Sequence, residues 1–301
     1  MKTLYVSDLD GTLLNSNVEL SQFTVKAINS LVEKGMNFTF ATARSLNSSK
    51  EITKDLKLNI PVIVYNGAFI MDKETGKIFS SSAFAEEEKN FVIDKINQHK
   101  VNPLVYSFIN GKESVSYNKN YVNKGVQLYL DSRKNDSRMT PLDNDNLYNG
   151  DVFYFTIIDK KNNIERFYNS VRENKNLRVT FQQDIYNEYY WCEIMPKSVS
   201  KANGIILLKN IYGFDKVVSF GDAINDISMF KISDESYAVE NAVEELKQIS
   251  TKEINKPSQR VIEKSGFTYE GTLRDYFYYE GGYVGRRFYS MLESEYSNRN
   301  N

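Results

Sequence analysis

The segment LYVSDLDGT, residues 4–12, places two carboxylates, a glycine and a hydroxyl directly after a short apolar run. The apolar run favours a buried strand, and the polar residues that follow it mark the end of that strand. Asp8 and Asp10 are separated by one residue, so their side chains project on the same side while the chain leaves the strand. Two carboxylates placed in this way can take different roles in a single site.

Strand and helix patterns alternate on the C-terminal side of this segment. The hydrophobic spacing predicts helices over residues 21–34 and 45–56, and strands over residues 38–41 and 62–65. Because strands that are joined by helices follow right-handed crossovers, this order implies a parallel sheet. The alternation returns with a helix over 198–210 and a strand over 217–220. The predicted fold class is α/β, with a Rossmann-like core built on a parallel sheet.

The segment between these two halves has a different pattern. Its strands follow one another as neighbours, with helices laid against them, which is typical of an α+β domain. We therefore predict an α+β cap domain at residues 68–196. It is inserted into a discontinuous core that comprises residues 1–67 and 197–267, and residues 268–301 form a separate C-terminal tail.

Polar residues follow three of the predicted core strands. In open α/β sheets, ligands bind beyond the carboxyl ends of the strands, where Asp8, Asp10, Thr42, Asp222 and Asp226 are expected. Several carboxylates in one small volume require a cation, and hard oxygen ligands with an open position select Mg²⁺. A carboxylate beside Mg²⁺ is a competent nucleophile toward phosphorus. The pattern therefore indicates phosphoryl transfer through an aspartyl phosphate.

Two further residues complete this chemistry. Thr42 and Lys201 would donate hydrogen bonds to phosphoryl oxygens, and Lys201 would also offset the repulsion between the carboxylates. The second carboxylate of the first motif would protonate the leaving oxygen and then activate water.

Four motifs carry a family resemblance. In chain order they are DLDGT (8–12), ATAR (41–44), SKANG (200–204) and GDAIND (221–226). They resemble the four motifs of the haloacid dehalogenase (HAD) superfamily. Their spacing, with the Asn66-Gly67 junction, resembles the Cof-type metabolite phosphatases, whose large cap is inserted between the second and third motifs. The resemblance covers residues 1 to about 250.

The resemblance implies a role for each matching residue. Asp8 would be the nucleophile and a Mg²⁺ ligand, and Asp10 the general acid/base and a ligand through its backbone carbonyl. Asp222 would be the third ligand, Asp226 would support the metal, and Asn225 would orient Lys201 or the phosphate. The predicted catalytic residues are Asp8, Asp10, Thr42 and Lys201, the metal residues are Asp8, Asp10, Asp222 and Asp226, and the substrate-binding residues are Thr42, Arg44, Asn66, Gly67, Lys201 and Asn225.

Composition excludes several other classes of protein. There are 38 Lys and Arg residues against 39 Asp and Glu residues, which argues against binding nucleic acid or an anionic membrane through bulk positive charge. A single cysteine excludes an internal disulfide framework, and no apolar stretch of membrane-spanning length is present. Composition therefore predicts a cytoplasmic protein, and the Cof-type resemblance implies a small phosphorylated metabolite as its partner.

The C-terminal end departs from the Cof-type pattern. Residues 255–267 resemble the last helix of GNAT-type N-acetyltransferases, and residues 269–290 resemble their terminal β-hairpin. A complete acetyltransferase also needs a glycine-rich loop for the coenzyme A pyrophosphate, and the sequence contains no such loop. The aromatic tail at residues 268–301 offers a surface for self-association.

The sequence thus favours a Mg²⁺-dependent phosphatase of small metabolites, with sugar phosphates as the first expectation. One alternative is a non-catalytic metabolite-binding or assembly protein whose core is altered by the C-terminal segment. A phosphomutase, which would share the first half-reaction, and an acetyltransferase are two further alternatives.

Overall fold

A computed structural model of the chain describes residues 1–109, 112–143, 146–184, 187–254, 268–279 and 282–290. Its α-helices are α1 (Gln22–Glu33), α2 (Leu46–Ile52), α3 (Glu86–His99), α4 (Lys124–Asp131), α5 (Lys161–Val171), α6 (Lys201–Tyr212), α7 (Ile227–Phe230) and α8 (Glu244–Ile249). Its strands are β1 (Thr3–Ser7), β2 (Asn37–Phe40), β3 (Val62–Val64), β4 (Phe69–Met71), β5 (Ile78–Ser81), β6 (Pro103–Ile109), β7 (Lys112–Asn118), β8 (Met139–Leu142), β9 (Asp151–Lys160), β10 (Leu177–Gln183), β11 (Tyr189–Pro196), β12 (Lys216–Gly221), β13 (Glu235–Val239), β14 (Lys252–Ile254), β15 (Thr268–Tyr279) and β16 (Gly282–Ser290).

The core is a five-stranded sheet in the order β14-β13-β12-β1-β2, and every pair in it is parallel. Parallel sheets are covered on both faces, so their strands are rich in apolar residues. Leu4 and Val6 of β1 are accordingly fully buried, and they pack with Ile205 and Leu208 of α6. Because the strands run in one direction, the polar residues that follow β1, β2 and β12 meet at one edge. The predicted α/β fold class is confirmed.

One predicted core strand pairs differently from the expectation. β3 touches the end of β2 through a single parallel bridge between Ala41 and Ile63, whereas its full ladder is antiparallel, with β4. The cause is the turn at Tyr65–Gly67, where Asn66 has a φ of 54° and the chain folds back on itself. β4 and β5 therefore pair with β3 rather than with the sheet of the inserted segment. The domain boundary between residues 67 and 68 stays a prediction.

The inserted segment forms a six-stranded sheet in the order β10-β11-β9-β6-β7-β8. Its pairs are antiparallel except for β7 with β8. Side chains of α3 and α5, including Val92 and Phe167, cover one face of this sheet and form a hydrophobic cluster with Phe155 and Ile194. A sheet-rich cap domain accompanies the parallel core, as the sequence predicted.

The opposite face of the cap sheet packs on the core. Tyr65 and Phe69, which follow β3, contact Phe153 of β9 with ring centroids 5.0 and 4.7 Å away. Leu9 and Phe40, from the strand ends of the core, belong to the same buried cluster. Aromatic rings of this kind contribute a large apolar area and prefer the edge-to-face contacts seen here. The cap therefore lies directly over the edge where the polar residues meet.

The C-terminal elements agree in part with the sequence expectation. β14 adds a fifth strand to the core, and β15 and β16 form an antiparallel hairpin where residues 269–290 predict one. The helix expected at residues 255–267 lies outside the described residues, and self-association through the tail stays a prediction. Among the helices described, none combines the length and apolar character that crossing a membrane requires.

The junction packing can be tested with Phe153→Ala. Phe153 is fully buried, so loss of its ring leaves a cavity and should lower the free energy of unfolding by about 3–5 kcal/mol. Phe23→Ala, on a side chain that is 50% exposed, should change that free energy by less than about 0.5 kcal/mol. Urea denaturation followed by circular dichroism measures both variants. Equal shifts in the two would contradict the packing described here.

Candidate active site

The first carboxylate stands at the carboxyl end of β1, which lies between β12 and β2 in the core sheet. The backbone N–H of Asp8 donates to the Phe220 carbonyl at 2.9 Å, which continues the ladder between β1 and β12 by one residue. The Asp8 residue is only 4% exposed. Gly11 then turns the chain with a φ of 75°, and any Cβ at this position would overlap the Asp222 carboxylate. Only glycine allows the first and fourth motifs to approach so closely.

A buried lysine joins two of the carboxylates. Lys201 is the first residue of α6, whose start is capped by the Ser200 hydroxyl accepting from the Asn203 N–H at 3.1 Å. Lys201 Nζ lies 2.6 Å from Asp8 Oδ1 and 2.6 Å from Asp226 Oδ1. Burial works against the charged ammonium, but the two carboxylates outweigh it and raise the pKa of Lys201. The lysine therefore remains a cation within the site.

Three carboxylates converge here. Asp8, Asp222 and Asp226 each offer an oxygen that lies within 4.8 Å of the other two. Burial raises the pKa of Asp8 to about 7, with Asp226 adding to the effect and Lys201 opposing it, and burial also raises the pKa of Asp222. One ammonium does not balance three carboxylates, so the group favours a divalent cation. An all-oxygen donor set of this kind fits Mg²⁺.

Hydrogen bonds fix the orientation of two of these carboxylates. Asp226 Oδ2 accepts from the backbone N–H groups of Asp222 and Ala223 at 2.9 and 3.0 Å. Asp222 Oδ1 accepts from the Thr12 hydroxyl at 2.8 Å, and Asn241 Nδ2 lies 3.5 Å from Asp222 Oδ2. Both oxygens of Asp226 are engaged by protein donors, which suits the supporting role that the family resemblance implies.

The second carboxylate of the first motif has a different partner. Asp10 is held by Arg44 through two hydrogen bonds, from Nε to Oδ2 at 2.7 Å and from Nη2 to Oδ1 at 2.5 Å. Its side chain is 48% exposed, so it lines the open part of the cleft. The hydrogen bond to Asp10 raises the pKa of Arg44. The Asp10 carboxylate thus stands outside the cluster of three, and its predicted roles in proton transfer and metal binding stay predictions.

Four of the remaining predicted residues are linked to one another by backbone and side-chain hydrogen bonds. Thr42 is fully buried, and its hydroxyl accepts from the Arg44 N–H at 3.1 Å. Its carbonyl accepts from the Asn66 N–H at 2.8 Å, and the Asn66 side chain accepts from Asn225 Nδ2 at 3.1 Å. Four predicted substrate-binding residues are thereby linked in one network. Their contacts with substrate stay predictions.

The two connections between core and cap lie in contact. Gly67 has a φ of 103°, and a Cβ there would overlap the Ser200 carbonyl. The glycine therefore lets the first connection pass against the second, directly beside Lys201.

The structure also adds two site residues that the sequence analysis missed. Thr12 belongs to the first motif, and its position two residues after Asp10 indicates that its hydroxyl lies near the carboxylates. Asn241 follows β13, and its side chain donates to the Gly11 carbonyl at 2.9 Å. No sequence pattern marks Asn241, because its role depends on the pairing of β12 with β13.

The sequence model of the haloacid dehalogenase-like hydrolase family matches residues 5–264. This chain belongs to that family. A Bacillus subtilis relative named 5-amino-6-(5-phospho-D-ribitylamino)uracil phosphatase YwtE is 26% identical over 262 residues, covering 81% of this chain and 90% of the relative. A solved structure of a Thermotoga maritima protein shares 26% identity and a TM-score of 0.67, covering 84% of this chain and 92% of that chain.

A further solved structure, described as a HAD subclass IIB sugar phosphatase, has a TM-score of 0.66 at 19% identity. The match covers 88% of this HAD-family chain and 99% of the neighbour, and it shows a shared fold. The family match and the relatives named as phosphatases identify the protein as a phosphatase enzyme. The predicted HAD resemblance is confirmed.

The acetyltransferase resemblance of the C-terminal segment gains no support. The HAD family match continues through residue 264, across most of the stretch at 255–267 that resembles a GNAT helix. The family match thus includes most of this segment, and acetyl transfer is not proposed for the protein.

The balance of charge in the site can be tested with Lys201→Met. Removing the ammonium leaves buried carboxylates without a partner, so the free energy of unfolding in a chelator should fall by about 3–5 kcal/mol. Lys26→Met, at an exposed position of α1, should change it by less than about 0.5 kcal/mol. Guanidinium denaturation compares the two. A Lys201→Met variant that is as stable as Lys26→Met would show that Lys201 does not hold the carboxylates together.

Proposed function

We propose that this HAD-family enzyme is a Mg²⁺-dependent phosphatase that hydrolyses small phosphorylated metabolites through an aspartyl phosphate on Asp8. The observation that carries the proposal is the convergence of Asp8, Asp222 and Asp226 around the Lys201 ammonium, beneath the cap. Few purely structural arrangements require three carboxylates in one buried volume, whereas phosphoryl transfer uses them to hold a cation and a nucleophile.

The metal would be held by Asp8, Asp222 and the backbone carbonyl of Asp10. A bound Mg²⁺ supplies positive charge that neutralises the phosphoryl oxygens and orients them. Asp226 would hold these ligands in position without binding the metal, since its oxygens already accept from Lys201 and two backbone N–H groups. The Thr12 hydroxyl would keep Asp222 in place, as groups that hydrogen-bond to metal ligands commonly do.

Asp8 is the proposed nucleophile. Its Oδ1 accepts from Lys201, which fixes the carboxylate and leaves Oδ2 without a hydrogen-bond partner among the described residues. Attack of this oxygen on phosphorus forms the aspartyl phosphate and releases the alcohol. Lys201 and Thr42 would donate to the phosphoryl oxygens as charge develops on them.

Asp10 is the proposed general acid and base. Arg44 positions its carboxyl group at the open side of the cleft, where a leaving oxygen would emerge. Asp10 would give a proton to that oxygen and later take one from the water that hydrolyses the intermediate. Cap residues packed over the strand ends exclude bulk water during both steps.

Sugar phosphates are the first candidates among substrates. The names of two similar proteins, a ribitylaminouracil phosphatase and a sugar phosphatase, both describe phosphorylated compounds with a sugar or sugar-derived portion. Nucleotide and vitamin phosphates follow. A phosphomutase would isomerise a sugar bisphosphate instead of releasing phosphate, so incubation with such a compound separates the two activities. A cytoplasmic location stays a prediction.

The nucleophile can be tested with Asp8→Asn. Release of phosphate from p-nitrophenyl phosphate should require Mg²⁺ and should fall by about a thousandfold or more in this variant, because an amide is not a nucleophile toward phosphorus. Asp94→Asn, at an exposed position of α3, should retain wild-type rates. Turnover without metal, or turnover that survives Asp8→Asn, would favour the non-catalytic alternative with a contaminating activity.

The support of the metal ligand can be tested with Thr12→Val. Loss of the hydrogen bond to Asp222 should raise the Mg²⁺ concentration for half-maximal activity by about 10- to 100-fold. Thr24→Val removes a hydroxyl at the exposed start of α1 and should leave that concentration unchanged. A Mg²⁺ requirement that is identical in both variants would exclude Asp222 as a ligand oriented by Thr12.

A further inference from the structure

Three consecutive residues of the first connection between core and cap have a left-handed backbone. The φ angles are 50° at Tyr65, 54° at Asn66 and 103° at Gly67. Glycine adopts this conformation freely and asparagine tolerates it, whereas a bulky residue such as tyrosine rarely does. Such strain persists only where the surrounding structure holds it, and it is concentrated at functional sites. The backbone of Tyr65 therefore depends on contacts that hold it in place.

The backbone of this connection is bonded to the second motif. The Tyr65 N–H donates to the Arg44 carbonyl at 2.9 Å, and the Asn66 N–H donates to the Thr42 carbonyl at 2.8 Å. Both bonds require the left-handed turn, because it directs two successive N–H groups toward residues 42–44.

The same connection also reaches the third and fourth motifs. The Asn66 side chain accepts from Asn225 Nδ2 at 3.1 Å. Gly67 passes so close to the Ser200 carbonyl that a Cβ would overlap it, and Ser200 directly precedes Lys201. Residues 65–67 thus contact three of the four motifs, and a shift of this segment would disturb all three.

The Tyr65 side chain extends from this segment into the cap. Its ring makes edge-to-face contacts with Phe153 and Tyr106, with centroids 5.0 and 6.0 Å away. Its hydroxyl donates to Glu113 of β7 and accepts from Arg138 Nη1 at 2.7 Å. Burial raises the pKa of Tyr65, with Glu113 adding to the effect and Arg138 opposing it. The phenol therefore stays neutral and keeps the proton that it donates.

The two partners of this hydroxyl are themselves fixed within the cap. Arg138 Nη1 also donates to Glu113 Oε1 at 2.5 Å, and Arg138 Nε and Nη2 donate to the Asp136 carboxylate at 2.9 and 2.5 Å. The Arg138 carbonyl accepts from the Val115 N–H of β7 at 2.8 Å. The three charged side chains are only 10–17% exposed. Hydrogen bonds to charged groups are stronger than those between neutral groups, so this network fixes the Tyr65 hydroxyl firmly.

We propose that Arg138 and Glu113 are positioning residues for the phosphoryl site and that they act through Tyr65; this inference rests on the proposed phosphatase function. Their bonds to the Tyr65 hydroxyl offset the strain of its backbone and keep Asn66 bonded to Thr42. Without these bonds, the connection relaxes and the two N–H groups leave the second motif. The cap thereby supports phosphoryl transfer through the connection rather than by contact with the phosphoryl group.

The inference is tested by Tyr65→Phe, which removes the hydroxyl and keeps the ring. Arg138 stays paired with Glu113 in this variant, so no buried charge loses its partner. Exchange of the backbone amides at positions 65 and 66 should become about tenfold faster, and kcat for p-nitrophenyl phosphate should fall about tenfold, because fewer molecules have a formed site. Hydrogen–deuterium exchange with mass spectrometry measures the first quantity, and phosphate release with Mg²⁺ measures the second.

Tyr106→Phe is the matched control. The Tyr106 hydroxyl lies 2.9 Å from the Tyr129 hydroxyl in the same buried cluster, so its loss removes an equivalent group away from the connection. Both quantities should stay within about twofold of wild type. Unchanged exchange in Tyr65→Phe, or an equal increase in the control, would overturn the inference. Faster exchange in Tyr65→Phe with an unchanged kcat would overturn it as well.

A double-mutant cycle tests whether Arg138 acts through Tyr65. Arg138→Lys keeps the charge but loses the planar fork, and it should lower kcat about fivefold or more on its own. In the Tyr65→Phe background it should cause no further loss, because both changes act on the same contact. Independent losses that multiply in the double variant would contradict the proposal. If Arg138→Lys does not fold, Glu113→Gln completes the same cycle.

Failure of the phosphatase function gives a different result. In that case the wild-type enzyme releases no phosphate from p-nitrophenyl phosphate with Mg²⁺, and amide exchange alone decides the inference. Faster exchange at positions 65 and 66 in Tyr65→Phe, with no change in Tyr106→Phe, supports the control of the connection by the cap network. Equal exchange in the two variants overturns it.

Discussion

Charge balance in a buried volume constrains the whole molecule. Asp8, Asp222 and Asp226 lie around a single ammonium group, and this arrangement is costly unless every group is held in place and a cation can join it. The parallel order of the core strands brings the carboxylates to one edge. Glycine at position 11 then lets the first and fourth motifs approach without a steric clash. The fold thus serves to hold like charges together.

The cap completes the site by closing over this charged edge. The aromatic contact between Tyr65 and Phe153 joins the core to the cap sheet through apolar packing. Apolar contacts around a polar centre exclude water and strengthen the electrostatic interactions inside. The helix-covered face of the cap sheet thus stabilises the cap, and its opposite face joins the cap to the core.

Local patterns in the sequence predict much of the fold and of the site. The apolar run before Asp8 and the helix that begins at Lys201 both reflect nearby residues, and the structure agrees with each. Other features depend on contacts between distant parts of the chain. Asn241 reaches Gly11 only because β13 pairs with β12, and β3 pairs mainly with β4 because Asn66 reverses the chain.

The most direct test of the central claim is to locate the metal. Crystals grown with Mn²⁺ in place of Mg²⁺ reveal the ion by its anomalous scattering, independently of any assay. The account predicts one strong peak in contact with carboxylate oxygens of Asp8 and Asp222, with Asp226 still bonded to Lys201. A map with no peak in this cleft, or with the ion bound away from Asp8 in crystals that turn over substrate, would contradict it.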